Sequence, residues 1–303
     1  MTPSERAAAQ RESLRALGPH LTPEMISGTT ALCAAALDPG LLEGVEVRPD
    51  LVYGPHERHR LDVYTSGEGG GRPVLVYVHG GGFVVGQKSA PGSPFFGNLG
   101  GWAVRAGYVA VVINYRLAPE STWPGGAEDI ARAIGWVVEN AAAHGGDPER
   151  IFLAGQSAGA MHVADYLAQP GLHGPHGRAL SGAVLVSCLY DVGRATDNPM
   201  HRAYWGEDRS RWAAMGSLDA LVELDLPLLL TVSEFDEPEF LDHARRLAAT
   251  WWERHRDYPP MHLLSGQNHL SPIYGIGTDT DVLGPLLERF IAAHARPGER
   301  GAR

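Results

Sequence analysis

The chain has only two cysteines, Cys33 and Cys188, among 303 residues. Two cysteines cannot build a disulfide scaffold, and a chain of this length buries a sizeable core without one. A reducing compartment, the cytoplasm, is therefore expected. Long apolar runs are also missing. The longest stretch without a formal charge, residues 258–278, holds Pro259, Pro260, His262, Gln267, Asn268 and His269, a mixture that no bilayer span tolerates. Glu5, Arg6, Arg11, Glu12 and Arg15 occupy the place where a secretory leader has its apolar centre. Basic charge is in deficit, with 25 Lys+Arg against 35 Asp+Glu for a formal net charge of −10. The chain thus lacks the positive field that a phosphate backbone requires, and neither nucleic acid nor a membrane is an expected partner. Repeats and low-complexity tracts are absent despite 38 Gly and 22 Pro. A 44% hydrophobic, 20% charged composition excludes wholesale disorder.

What is present is an alternation. Residues 74–78 (VLVYV) form a continuous apolar, β-branched run, the pattern of a strand buried on both faces. Residues 108–114, 151–154, 183–187 and 228–232 repeat it, and residues 261–264 form a last short strand. Helical patterns lie between them at 95–105, 127–144, 158–168 and 240–253, with another at 282–294. Crossovers of this length predict an α/β fold with a mostly parallel central sheet flanked by helices. Short strands at 51–53 and 61–64 precede it. Residues 3–42 read as helical, opened by a Thr2–Glu5 capping box and broken at Pro19, Pro23 and Gly28. Residues 198–223, with Trp205 and Trp212, interrupt the alternation. The expectation is one unit over 1–303, with 1–42 and about 198–223 as elements of a small helical cap.

Two glycine-framed motifs carry chemistry. Gly155-Gln156-Ser157-Ala158-Gly159 is a G-x-S-x-G directly after a strand and opening a helix. A serine on so tight a turn needs small neighbours on both sides, and the turn lifts its hydroxyl above the sheet. His79-Gly80-Gly81-Gly82-Phe83 follows the strand at 74–78. Its glycines free backbone amides to approach a ligand, which suits an oxyanion. A phosphate-cradling loop fits less well, because no Lys-Ser/Thr follows and no helix opens there.

A serine nucleophile needs a base and the base an orienting carboxylate. His269, just beyond the last strand, is the candidate base, with His262 as its nearest rival. Asp236, after the strand at 228–232, is the first candidate for the acid, with Glu239 as the main alternative and Glu234 and Glu237 nearby. The order Ser157, Asp236, His269 is the nucleophile–acid–base order of α/β-hydrolases. Phe83, Trp205, Trp212, Met161 and Leu270 are candidates for an apolar pocket wall.

With these motifs, and with Asn114-Tyr115-Arg116-Leu117-Ala118-Pro119-Glu120, the chain resembles the hormone-sensitive-lipase-like carboxylesterase group of α/β-hydrolases. The resemblance implies Ser157 as nucleophile, His269 as base and Asp236 as acid, with an oxyanion hole from the amides of Gly81, Gly82 and Ala158. It makes His79, Asp62, Arg116 and Asp129 supports. It implies no cofactor and no metal, a small-molecule ester as partner, and compatibility with a homodimer. The implied reaction is hydrolysis of a small or aryl carboxylic ester through an acyl-enzyme. Amide, formamide or carbamate hydrolysis by the same triad is the alternative, and a non-catalytic small-ligand receptor is the alternative of another class. Two positions depart from the group's pattern. Gln156 stands where Asp or Glu is usual, and Asp236-Glu237-Pro238-Glu239 replaces Asp-Pro-x-x-Asp.

Overall fold

The computed structural model describes residues 2–67 and 69–295, so Met1, Glu68 and 296–303 of the expected 1–303 unit lie outside the described residues. Strands run over Glu46–Val52 (β1), Arg60–Thr65 (β2), Arg72–Val78 (β3), Val109–Ile113 (β4), Gly146–Gln156 (β5), Gly182–Val186 (β6), Leu228–Phe235 (β7) and Met261–Asn268 (β8). They form one sheet in the order β1-β2-β4-β3-β5-β6-β7-β8. Only β2 runs antiparallel to its neighbours, and every pairing from β4 to β8 is parallel. This is the predicted mostly parallel α/β sheet.

Helices run over Pro3–Ala16 (α1), Pro23–Ala36 (α2), Gly97–Arg105 (α3), Gly125–Asn140 (α4) and Ala158–Ala168 (α5). Pro199–Trp205 (α6), Leu218–Val222 (α7), Pro238–His255 (α8), Ser271–Tyr274 (α9) and Gly284–His294 (α10) follow. Successive strand residues point to opposite faces, and the core divides accordingly. Val76, Val78, Leu153 and Leu185 pack with Ile130 and Ile134 of α4 and Val163 of α5. Leu75, Tyr77, Phe152 and Val184 pack with Leu99 of α3 and Leu287 and Ile291 of α10. Each such buried Leu or Ile stabilises the fold by roughly 1.5–3 kcal/mol. Among the described residues no helix is long and apolar enough to cross a membrane.

The topology fixes where a ligand is received. The chain leaves β3 toward β4 on one side, and leaves β5 toward β6 on the other. The crevice beyond the carboxyl ends of β3 and β5 is thus the switch point of the sheet, where neither crossover covers it. The glycine loop follows β3, and Ser157 follows β5.

The N-terminal region is two helices, as Pro19 and Pro23 predict, and the Thr2–Glu5 capping box forms. Gly28 is a correction, because it lies inside α2 without breaking it. Its bare Cα admits Leu17, whose Cδ2 would lie 2.6 Å from a Cβ. The Asn198 side chain caps α6, and a 3-10 helix over Arg209–Met215 and then α7 complete the interruption of the alternation.

Candidate active site

β5 ends at Gln156 and α5 begins at Ala158, so Ser157 alone makes the turn. Its φ of 56° and ψ of −125° are a conformation that a side chain-bearing residue adopts at a cost of about 1–3 kcal/mol. The flanking glycines let the turn close. A Cβ on Gly155 would meet the Gly159 carbonyl carbon at 2.5 Å, and one on Gly159 would meet the Val78 oxygen at 2.2 Å. Ser157 N donates to Val186 O at 3.0 Å, tying the turn to β6. The hydroxyl is thereby held at the N-terminus of α5, where the helix dipole favours developing negative charge.

Asp236 and His269 come from the ends of β7 and β8, and both are buried. His269 Nδ1 lies 2.6 Å from Asp236 Oδ1. The other carboxylate oxygen, Oδ2, accepts from Ser187 Oγ at 2.6 Å and from Ser233 N at 2.7 Å. Three atoms thus meet the carboxylate: two hold Oδ2, and Oδ1 draws the imidazole proton onto Nδ1. That leaves Nε2 as an acceptor, buried and without a protein partner among the described residues.

The neighbouring acids are otherwise engaged. Glu239 accepts from Thr196 N and Glu237 from Leu21 N. Glu234 pairs with Arg11 at 2.6 Å, and that guanidinium, helped by Gly266 N, pulls its carboxyl down to about 2. His262, the rival base, is exposed on β8.

Two residues that sequence reasoning passed over support this pair. Gln156 Nε2 donates to the carbonyl of His269 at 2.9 Å, so the departure from the group's pattern anchors the loop of the candidate base. Ser187, with φ of 51°, turns its hydroxyl onto Asp236. Gln156 had a signal, being the unusual residue of the motif. Ser187 had none.

The loop after β3 is a tight turn in which Val84 N and Val85 N both donate to Gly81 O. Gly81 (φ 134°) has no room for a side chain, and at Gly82 (φ 56°) one would be strained and would displace Met200. A Cβ on the first would meet Val85 O at 2.0 Å, and one on the second the Met200 sulfur at 2.6 Å. The amides of Gly81, Gly82 and Ala158 have no partner among the described hydrogen bonds, and all three residues border one cavity. His79 is fully buried with Nδ1 2.7 Å from Gly80 O, and stacks on Tyr115 at 4.4 Å. Burial pushes its imidazole down to about 4, so it is a neutral prop.

Lys88, the only lysine of the chain, closes the far end of this loop. Its buried Nζ lies 2.6 Å from Asp62 Oδ1 and 2.7 Å from Asp50 Oδ1. Arg116 and His59 meet on the buried Asp129, at 2.8 and 2.9 Å.

Ser157, His269, the glycine loop, Phe83, Met161 and Leu270 line a cavity of about 490 Å³. Trp205 and Trp212 do not, which corrects the expected pocket wall. Trp205 lies behind Phe83, 5.3 Å between ring centroids, and Trp212 behind Trp205 at 5.2 Å. Trp212 Nε1 donates to Gly206 O, so both indoles are core of the 198–223 segment. The wall itself comes from Met200 and His201 of α6, Leu21 and Ile26 of the N-terminal region, and Phe95 stacked on Tyr274 at 4.1 Å.

Over residues 75–270 the chain matches the model of a family described by the alpha/beta hydrolase fold. It is 35% identical over 163 residues to a probable isoprenylcysteine alpha-carbonyl methylesterase of Arabidopsis thaliana, covering 51% of this chain and 37% of that protein. It is 40% identical over 119 residues to an esterase of Mycobacterium tuberculosis, 38% of this chain and 27% of the relative. With a carboxylesterase of the same species the identity is 46% over 87 residues, 29% of this chain and 26% of the relative. The chain thus spans between 26% and 37% of the length of these relatives. A thermostable carboxylesterase cloned from a metagenomic library superposes with a TM-score of 0.67 at 23% identity, covering 98% of this chain and 99% of that one. Esterase B from Lactobacillus rhamnosis superposes at 0.71 with 17% identity, covering 98% and 97%. At such identities these structures share the fold.

Proposed function

The chain belongs to the family of the alpha/beta hydrolase fold, and from that membership we propose that it hydrolyses small or aryl carboxylic esters through an acyl–Ser157 intermediate. Ser157 Oγ attacks the acyl carbonyl while His269 Nε2 takes its proton. Asp236 keeps the other imidazole proton on Nδ1 and stabilises the imidazolium. The amides of Gly81, Gly82 and Ala158 receive the oxyanion, a donor of this kind being worth about 3 kcal/mol in the transition state. Collapse expels the alcohol, which takes the proton back from His269. Water, activated by the same nitrogen, then releases the acid and restores Ser157. The N-terminal helices and the 198–223 segment act as a cap over this site within a single unit.

The observation that carries the reading is the state of His269. One nitrogen is committed to a fully held carboxylate, and the other is unpartnered on the cavity that Ser157 borders. Wild type is expected to hydrolyse para-nitrophenyl acetate with a burst of nitrophenol equal to the enzyme. Ser157→Ala is expected to lose turnover at least about a thousandfold while its unfolding free energy stays within about 1 kcal/mol of wild type. Full activity in Ser157→Ala refutes the assignment.

A further inference from the structure

The wall of the cavity is uneven in charge. Glu237 and Glu239 both border it, and no lysine or arginine does. Each carboxylate is fixed by one backbone amide on its Oε1, Leu21 N to Glu237 and Thr196 N to Glu239. Among the described residues no lysine or arginine pairs with either of them. His20 comes within 3.7 Å of Glu237 but is a largely exposed imidazole, charged only when protonated. Burial holds the imidazole of His201, the other neighbour on this wall, toward its neutral form. Both acids also begin α8, Glu237 as its N-cap and Glu239 in its first turn. The dipole there supplies about half a positive charge, which leaves two carboxylates far from compensated.

The same cavity receives the unpartnered Nε2 of His269 and a mostly apolar surround that includes Phe95, Phe96 and Tyr274. Two carboxylates without a lysine or arginine partner on the wall of a partly enclosed cavity bias which molecules enter. We infer that Glu237 and Glu239 select substrate by charge, so that the cavity takes esters bearing a cationic group, such as an ammonium, ahead of neutral isosteres and rejects esters bearing a carboxylate. A cavity lined by both aromatic rings and carboxylates suits a cation that keeps an apolar body. This inference rests on reading the cavity as the ester site, and it adds the substrate class which that reading leaves open.

The test uses matched para-nitrophenyl esters whose acyl tails end in trimethylammonium, in tert-butyl or in carboxylate. A parallel set of acetate esters places the same three groups on the alcohol. In at least one set kcat/KM is expected to fall in that order, with cationic above anionic by about tenfold or more at low ionic strength and by less as salt is added. Glu237→Gln and Glu239→Gln are expected to draw the cationic-to-anionic ratio toward one, whatever their absolute rates.

Binding of benzyltrimethylammonium, benzyl alcohol and benzoate to Ser157→Ala, followed by NMR titration, reads the same order without turnover. An anion turned over or bound as well as its cationic match in every set overturns the charge selection. If no ester is hydrolysed, the proposed reaction falls, and the titration alone then decides the charge preference.

Discussion

Ser157 carries a backbone conformation that its neighbours impose and that its own side chain opposes. At φ 56° the Cβ crowds the chain, whereas a glycine would not. Two variants that both lack the hydroxyl therefore separate strain from chemistry. Ser157→Gly is expected to be more stable than Ser157→Ala by about 1 kcal/mol, the reverse of the usual ranking, as read from urea unfolding. Equal stabilities would mean that the turn stores no strain. Much of this was legible in the chain. The spacing Gly155, Ser157, Gly159 encodes a steric demand between near neighbours, and the predicted start of α5 at Ala158 follows from it. The partners of Gln156 and Ser187 were not legible, although Gln156 stood out in its motif, because their bonds to His269 and Asp236 span 113 and 49 residues, and no local pattern records such a meeting.

At the level of elements, α1, α2 and the turn between them meet the segments that carry the candidate acid and base through contacts of very different standing. Arg11 to Glu234 is an exposed ion pair, and Leu21 N to Glu237 is partly exposed. Asn268 Nδ2 to Thr29 Oγ1, at 2.7 Å, joins two side chains that are both fully buried. Asn268 also accepts from the amides of Leu270 and Ser271 through its Oδ1, so its orientation shapes the turn after His269. Thr29→Val keeps the shape but leaves a buried amide donor with only the weak acceptor Met25 Sδ, at 3.5 Å. It is expected to cost about 1–3 kcal/mol in urea unfolding, and more than Arg11→Ala, whose partner stays in water. An Arg11→Ala loss equal to that of Thr29→Val would move the weight of this junction to α1. Periodicity could place the two helices but not their docking. The tryptophans of the 198–223 segment show the same limit, since aromatic content does not say whether a ring faces a cavity or the core behind it.

For the whole molecule, buried histidines couple stability to pH. His79 and His162 are fully buried, and burial lowers their imidazoles from 6.5 to about 4 and about 3. Unfolding returns both to water, so below about pH 6.5 the unfolded chain binds protons that the folded chain refuses. Stability that is complete above pH 6.5 is thus lost progressively as pH falls toward the folded values. Asp165 opposes this, because burial raises its carboxyl and its protonation favours the fold at lower pH. Removing one imidazole isolates its share. Between pH 6 and pH 5, His162→Phe is expected to flatten the dependence of unfolding free energy on pH by about 1.2 kcal/mol per pH unit. An unchanged slope would place the proton uptake elsewhere.

Lys88 adds a property of the surface as a whole. The chain's one ε-amine is buried between Asp62 and Asp50, and every other permanently cationic side chain is a guanidinium, a poor nucleophile at neutral pH. Activated esters that react with lysine amines therefore meet no ε-amine on the described surface. A protein proposed to handle such acyl donors is spared aminolysis of its own lysine by them.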